Sequence, residues 1–151
     1  IPYALHPSRK SCQIYRVNPL CEHELPAWAA GIASFLPEHH LKLGIGSEFI
    51  LAVDVPCISL MELLSSEGIT RLDLLQIDTE GFDAEVVKMI DFEKIRPTIV
   101  KYEHVNLSDS TQAETEDILR VQGYRMFREG GDTVAFLRRP GRRWLGRGGT
   151  L

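Results

Sequence analysis

The stretch Leu72–Glu85, Leu-Asp-Leu-Leu-Gln-Ile-Asp-Thr-Glu-Gly-Phe-Asp-Ala-Glu, constrains the fold of this chain more than any other. Its first half is a short apolar run, the pattern of a strand buried on both faces of a parallel sheet. Polarity then changes within one residue. Asp78, Thr79 and Glu80 stand at the strand's C-terminal end, and Gly81 permits a tight turn there. Phe82, Val86, Met89 and Ile90 fall on one face of a following helix, predicted to run to about Lys94. Asp83 and Glu85 lie in its first turn, where the helix dipole favours negative charge. In open α/β sheets ligands bind beyond the carboxyl ends of strands, so these acids stand where a ligand is expected.

Thr98–His104 reads as the next strand and also ends in polar residues: Glu103, His104 and Asn106. Strand, helix and strand of this length predict a right-handed βαβ unit with parallel strands. If the two strands are neighbours, Asp78 and Glu80 share one rim of the sheet with Glu103 and His104. Upstream, Cys12–Val17 and Phe49–Val55 read as strands, the second ending before Pro56. Trp28–Leu36 fits a short helix or a strand equally well. Gly44-Ile45-Gly46 lacks a third glycine, since Phe49 takes that place, and is read as a turn. Ser59 and Glu62 form a capping box, flanked by Ile58 and Leu63 at the staple positions, for a helix ending near Gly68. Thr111 and Glu114 suggest a second box, opening a helix that ends at Gly123. Tyr124–Arg128 and Thr133–Arg138, around Glu129-Gly130-Gly131-Asp132, predict an antiparallel hairpin.

A length of 151 residues corresponds to one domain. With 44% hydrophobic and 25% charged residues the chain can bury a core, and no apolar stretch is long enough to span a bilayer as a helix. The start, Ile1-Pro2-Tyr3-Ala4, has no initiator Met and no signal-peptide pattern, which suggests a processed or fragmentary chain in the cytoplasm. Three cysteines, Cys12, Cys21 and Cys57, form no Cys-x-x-Cys, so no disulfide framework is expected and a reducing compartment is the default. Cys12, Cys21, His23, His39 and His40 match no standard zinc spacing, and no metal site is expected. The net charge is −4, yet five arginines from Arg138 onward have no acid among them, which leaves the remainder at −9. That acidic body argues against nucleic acid as the domain's partner. Segment 139–151 is Gly/Arg-rich and expected to be disordered.

Several motifs in order resemble the FkbM family of S-adenosylmethionine (SAM) dependent methyltransferases. They are Ile58-Ser59-Leu60-x-x-Leu63-Leu64, Ile69-x-Arg71-Leu72-Asp73-Leu74-Leu75-Gln76-Ile77-Asp78-x-Glu80-Gly81, and Arg96-Pro97-x-Ile99 with Glu103. Trp28–Phe35 also resembles the family's segment after its third strand. Gln76 stands where the family has Lys, and Phe82-Asp83 replaces a small residue followed by Glu. The resemblance implies an α/β, partial Rossmann-like class I methyltransferase fold over residues 1–138. It implies a mostly parallel sheet and a C-terminal hairpin. The family's Val-Asp-x-Gly-Ala-x-x-Gly strand and ribose-binding acid have no counterpart here, so a piece that binds SAM weakly alone is expected. The strand Leu72–Ile77 would then be a bare sheet edge prone to self-association.

The resemblance further implies O-methylation of a hydroxyl on a small molecule or glycan. Asp78 is placed near the reacting centre and the cofactor, Glu80 and His104 as bases or acceptor ligands, and Glu103 beside His104 or the acceptor. Ala4 and Leu5 are placed against the adenine. Two other readings remain open: a carboxylate-metal hydrolase using Asp78, Glu80, Asp83 and Glu103, and a non-catalytic interaction module of the same fold.

Overall fold

The computed structural model describes residues 3–138; the tail 139–151, expected to be disordered, lies outside the described residues. Its elements are β1 (Ala4–Leu5), β2 (Ser11–Val17), β3 (Ala33–Ser34), α1 (Pro37–Lys42), β4 (Ile50–Ile58) and α2 (Leu60–Ser66). They continue with β5 (Leu74–Ile77), α3 (Asp83–Lys88), β6 (Ile99–Glu103), α4 (Asp109–Val121), β7 (Tyr124–Glu129) and β8 (Asp132–Leu137). Trp28 lies in a 3-10 turn, Ala27–Gly31, which precedes the short strand β3.

Two four-stranded sheets form, in the orders β1-β4-β2-β3 and β5-β6-β8-β7. The mostly parallel sheet expected from sequence is not what forms. Parallel pairing is confined to β1 with β4 and β5 with β6, and the other neighbours run antiparallel. The reason is local: β2 and β4 are long enough to pair directly, and the β7–β8 hairpin adds itself to β6. Gly130, at φ +58, makes the two-residue turn that joins them.

The expected βαβ unit is present. Leu74 pairs with Ile99 and Ile77 with Tyr102 in parallel register, so both strands end at one rim. Helices α2, α3 and α4 cover one face of this sheet. Leu60, Leu64, Val86, Val87 and Leu119 pack there against Ile77, Val100, Tyr102 and Ala135. Strand β5 is therefore buried on one face, not two. It ends the second sheet among the described residues, and Leu74 on its other face is 50% exposed.

Several local expectations need adjustment. The Ser59–Glu62 capping box forms with both of its bonds, and Gly68 takes a left-handed conformation just beyond α2. The later box does not form: Ser108 caps α4 by accepting from the Thr111 amide. Strand β4 runs through Pro56 instead of ending before it. Pro56 sits opposite Ser11, while the neighbouring Cys57 N–H donates to the Lys10 carbonyl, so Pro56 occupies a position that owes no hydrogen bond to β2. Helix α3 ends at Lys88, and turns continue to Lys94.

Cys12 and Cys57 form a disulfide across β2 and β4, contrary to the expectation of unlinked thiols. The strand register brings together two cysteines whose sequence spacing carries no signal. The odd cysteine is Cys21. With this bond in place, cysteine content no longer argues for a reducing, cytoplasmic setting. Among the described residues no helix is long and apolar enough to cross a membrane.

Candidate active site

The rim where β5 and β6 end carries the polar residues expected there. Carboxylate oxygens of Asp78, Glu80 and Glu103 all lie within 4.8 Å of one another. Asn106 Nδ2 donates to Glu103 Oε2 and, at 3.3 Å, to Glu80 Oε2, holding two of the three carboxylates. Burial pushes the Glu103 carboxyl above its ordinary value. The Asn106 hydrogen bond opposes that shift, and the charges of Glu80, Asp78 and Asp83 add to it.

The rim is tied together by Asp83, which is fully buried. Its Oδ2 accepts from the Thr79 hydroxyl at 2.9 Å and the Thr79 amide at 3.3 Å, and its Oδ1 accepts from the Glu103 amide at 3.1 Å. One carboxylate thus fixes the loop after β5 to the end of β6. The sequence presents Asp83 as an ordinary first-turn acid, and nothing in its spacing signals this role.

Glu80 has φ +53, a left-handed conformation unusual for a residue with a side chain. Ser34 at the end of β3 donates to the Glu80 carbonyl at 3.1 Å, which joins the first sheet to the rim of the second. From α1, His39 Nε2 comes within 2.8 Å of Glu80 Oε2, a distance suited to an ion pair but without hydrogen-bond alignment. The sequence raises His39 only within a zinc spacing that does not match; its contact with Glu80, on a different element far along the chain, carries no sequence signal.

His104 is not part of the carboxylate group. It is buried with Nδ1 3.2 Å from the Thr133 hydroxyl, while its backbone amide donates to Gly131 and its carbonyl accepts from Gln112. Alternation along β6 puts Glu103 and His104 on opposite faces.

Beside the carboxylates a cavity of about 470 Å³ opens between the two sheets. Its lining includes Tyr3, Ala4 and Leu5 at β1, Ser34 and Phe35 at β3, and Asp78, Thr79 and Phe82 after β5. Ala4, Leu5 and Asp78, far apart in sequence, therefore line one cavity. Phe35 and Phe82 meet edge to face at 4.6 Å, and the His6 ring stacks on Phe82 at 5.9 Å. Burial, reinforced by the nearby Arg9, pushes the His6 imidazole below its ordinary value, and its Nδ1 accepts from the Ser8 and Arg9 amides. Across this aromatic group a smaller cleft of about 240 Å³ is lined by His6, Arg9, Gln13 and Glu80. The arrangement offers an apolar, aromatic cavity with Asp78 in its lining and a polar cleft, which includes Glu80, alongside.

The family model described as the methyltransferase FkbM domain matches residues 2–126. The chain belongs to that family. The FkbM match runs from before β1 into the start of β7, leaving out β8, and so includes the cavity and all three rim carboxylates. No curated protein matches, and no solved structure does.

Proposed function

We propose that this FkbM domain is a SAM-dependent methyltransferase acting on a hydroxyl oxygen of a small molecule or glycan. The observation that carries the reading is the one cavity that Ala4, Leu5 and Asp78 line together, next to the carboxylates at the β5–β6 rim. The cavity's volume lies within the range of small-molecule sites. Its aliphatic and aromatic lining suits an adenine, and the exposed Asp78 carboxylate at its mouth suits ribose hydroxyls or a sulfonium charge. When bound, SAM supplies an electrophilic methyl group.

The chain's own residues would do the rest. Ala4, Leu5 and Phe82 hold the adenosyl side, and Phe35 with Phe82 divides it from the smaller cleft. The acceptor would enter that cleft, where Arg9, Gln13 and Glu80 offer polar contacts. In-line displacement requires the acceptor oxygen to be aligned with the methyl carbon, and positioning is the larger share of such catalysis. Glu103 or Glu80 takes the hydroxyl proton as the new C–O bond forms. A carboxyl held above its ordinary value is the better base near neutral pH, which favours Glu103. His104 would act as a positioning residue through Thr133 and Gly131 and not as the base.

The sequence offers no Val-Asp-x-Gly loop, so these 151 residues are expected to bind SAM only weakly. Self-association through the β5 edge belongs to the same proposal, with a second copy pairing along Leu74–Ile77; light scattering reads it directly. Calorimetric titration with S-adenosylhomocysteine, the product carrying the same adenosyl group, tests the cofactor reading. Measurable binding that weakens about tenfold in Asp78→Asn is expected. No binding at millimolar concentration would favour a non-catalytic module.

A further inference from the structure

The turn between β1 and β2 puts a cation into the lining of the smaller cleft. Arg9 lines it together with His6, Gln13 and Glu80. Among the described residues, no acid is ion-paired with the Arg9 guanidinium, although residues 1–137 carry nine more acids than bases.

The turn that presents Arg9 is fixed at both ends. The His6 amide donates to the Ile58 carbonyl at 3.0 Å, and the Lys10 carbonyl accepts from the Cys57 amide at 2.8 Å. Inside the turn, His6 Nδ1 accepts from the Ser8 and Arg9 amides at 3.2 and 3.0 Å. That nitrogen carries no proton, so Nε2–H remains as a donor. The His6 ring is itself held against Phe35 and Phe82. The backbone of Arg9 is thus set before any ligand arrives, which lowers the cost of binding one.

The other polar groups of the cleft add donors. Gln13 Oε1 accepts from the Tyr15 hydroxyl at 3.2 Å, which leaves the Gln13 amide N–H groups available. The Ser34 hydroxyl is already committed to the Glu80 carbonyl and the Leu36 amide. A guanidinium, an imidazole N–H and a carboxamide therefore stand against one carboxylate, Glu80. The planar fork of an arginine suits the paired oxygens of a carboxylate or phosphate.

We propose that the smaller cleft takes an anionic acceptor, with a carboxylate or phosphate on the same small molecule or sugar unit as the reacting hydroxyl. Arg9 holds the anion with help from Gln13 and His6, and the rings of Phe35 and Phe82 face its carbon skeleton. A neutral acceptor leaves the guanidinium without a partner, so Arg9 sets specificity. The role as acceptor rests on the methyl-transfer reading; binding of the anion does not.

The test is an amide-resolved NMR titration of the ¹⁵N-labelled 151-residue chain without SAM. The probes are glucuronate, para-hydroxybenzoate and glycerol phosphate, each beside its neutral counterpart, glucose, phenol or glycerol. At least one anionic probe should bind with a millimolar Kd or tighter, about tenfold or more above its counterpart, as hydrogen bonds to a charged group allow. Carboxylate and phosphate probes together identify which anion the cleft prefers. Shifts should centre on Arg9, Gln13 and Leu36. Arg9→Gln, at an exposed position, should abolish the preference for the anion, and Arg9→Lys should keep part of it. Equal binding of anionic and neutral members, a preference unchanged in Arg9→Gln, or no binding of any probe would each overturn the proposal. So would shifts at Arg9 with SAM and with no probe, because the cleft would then hold the cofactor's methionine carboxylate. Adenosyl binding is read separately at Ala4 and Asp78, so either reading can fail alone.

Discussion

Asp83→Ala should be the most damaging single change at the rim, through stability before chemistry. Asp83 is fully buried and accepts three hydrogen bonds, two from Thr79 and one from the Glu103 amide. Alanine removes every acceptor at once. The Thr79 hydroxyl can turn elsewhere, but the two amides are held by the strand ends. An unsatisfied buried donor costs about 1–3 kcal/mol, so two cost about 2–6 kcal/mol together. Domains of this size are stable by about 5–15 kcal/mol, so the variant should fold but with a large share of its stability gone. Urea denaturation followed by circular dichroism gives the difference from the shift in midpoint at constant slope. A loss below about 1 kcal/mol would refute the reasoning, because it would mean that water satisfies these amides and that Asp83 does not tie the rim.

Further outcomes follow from the same geometry. Glu80→Gly relieves a left-handed conformation worth about 1–2 kcal/mol and adds about 0.5–1 kcal/mol of unfolded-state entropy. Urea stability should therefore rise by about 0–1.5 kcal/mol; a destabilisation instead would show that the contact between His39 and the Glu80 carboxylate is structural. Glu103 is held above its ordinary value of 4.5, so between that pH and the raised folded value the folded protein keeps a proton that the unfolded chain has released. Stability should therefore fall as pH rises through that window, and Glu103→Gln should remove that part of the fall. Parallel denaturation profiles for the two proteins across the window would contradict this. The Cys12–Cys57 bond closes a 45-residue separation, for which chain entropy predicts about 4 kcal/mol. A phosphine reductant should lower the urea midpoint to that of Cys12→Ser/Cys57→Ser, and an unmoved midpoint would show that the bond contributes nothing.

Features carried by neighbouring residues were legible in the sequence. The Ser59–Glu62 box, the Gly68 stop, the parallel β5–β6 pair and the terminal hairpin each rest on a short pattern with a fixed geometry. So does the convergence of Asp78, Glu80 and Glu103, because a βαβ unit brings two strand ends to one rim. The illegible features depend on register or on packing between elements. The β2–β4 pairing decides that Cys12 meets Cys57. The placement of α1 against the β5 loop decides that His39, and not His104, faces Glu80. His104 looked like a site residue because it follows Glu103 in sequence, but strand alternation turns it to the other face. The two-sided burial expected of Leu72–Ile77 failed because apolar content alone cannot say how many layers cover a sheet.

The central claim is that the cavity between the two sheets receives the adenosyl part of SAM. An amide-resolved NMR titration of the ¹⁵N-labelled chain with SAM tests it most directly, and it tolerates weak affinity. The account predicts saturable shifts centred on Ala4, Leu5, Ser34, Asp78, Thr79 and Phe82, with the β7–β8 hairpin unmoved. Shifts centred elsewhere, or none at millimolar SAM, would contradict it.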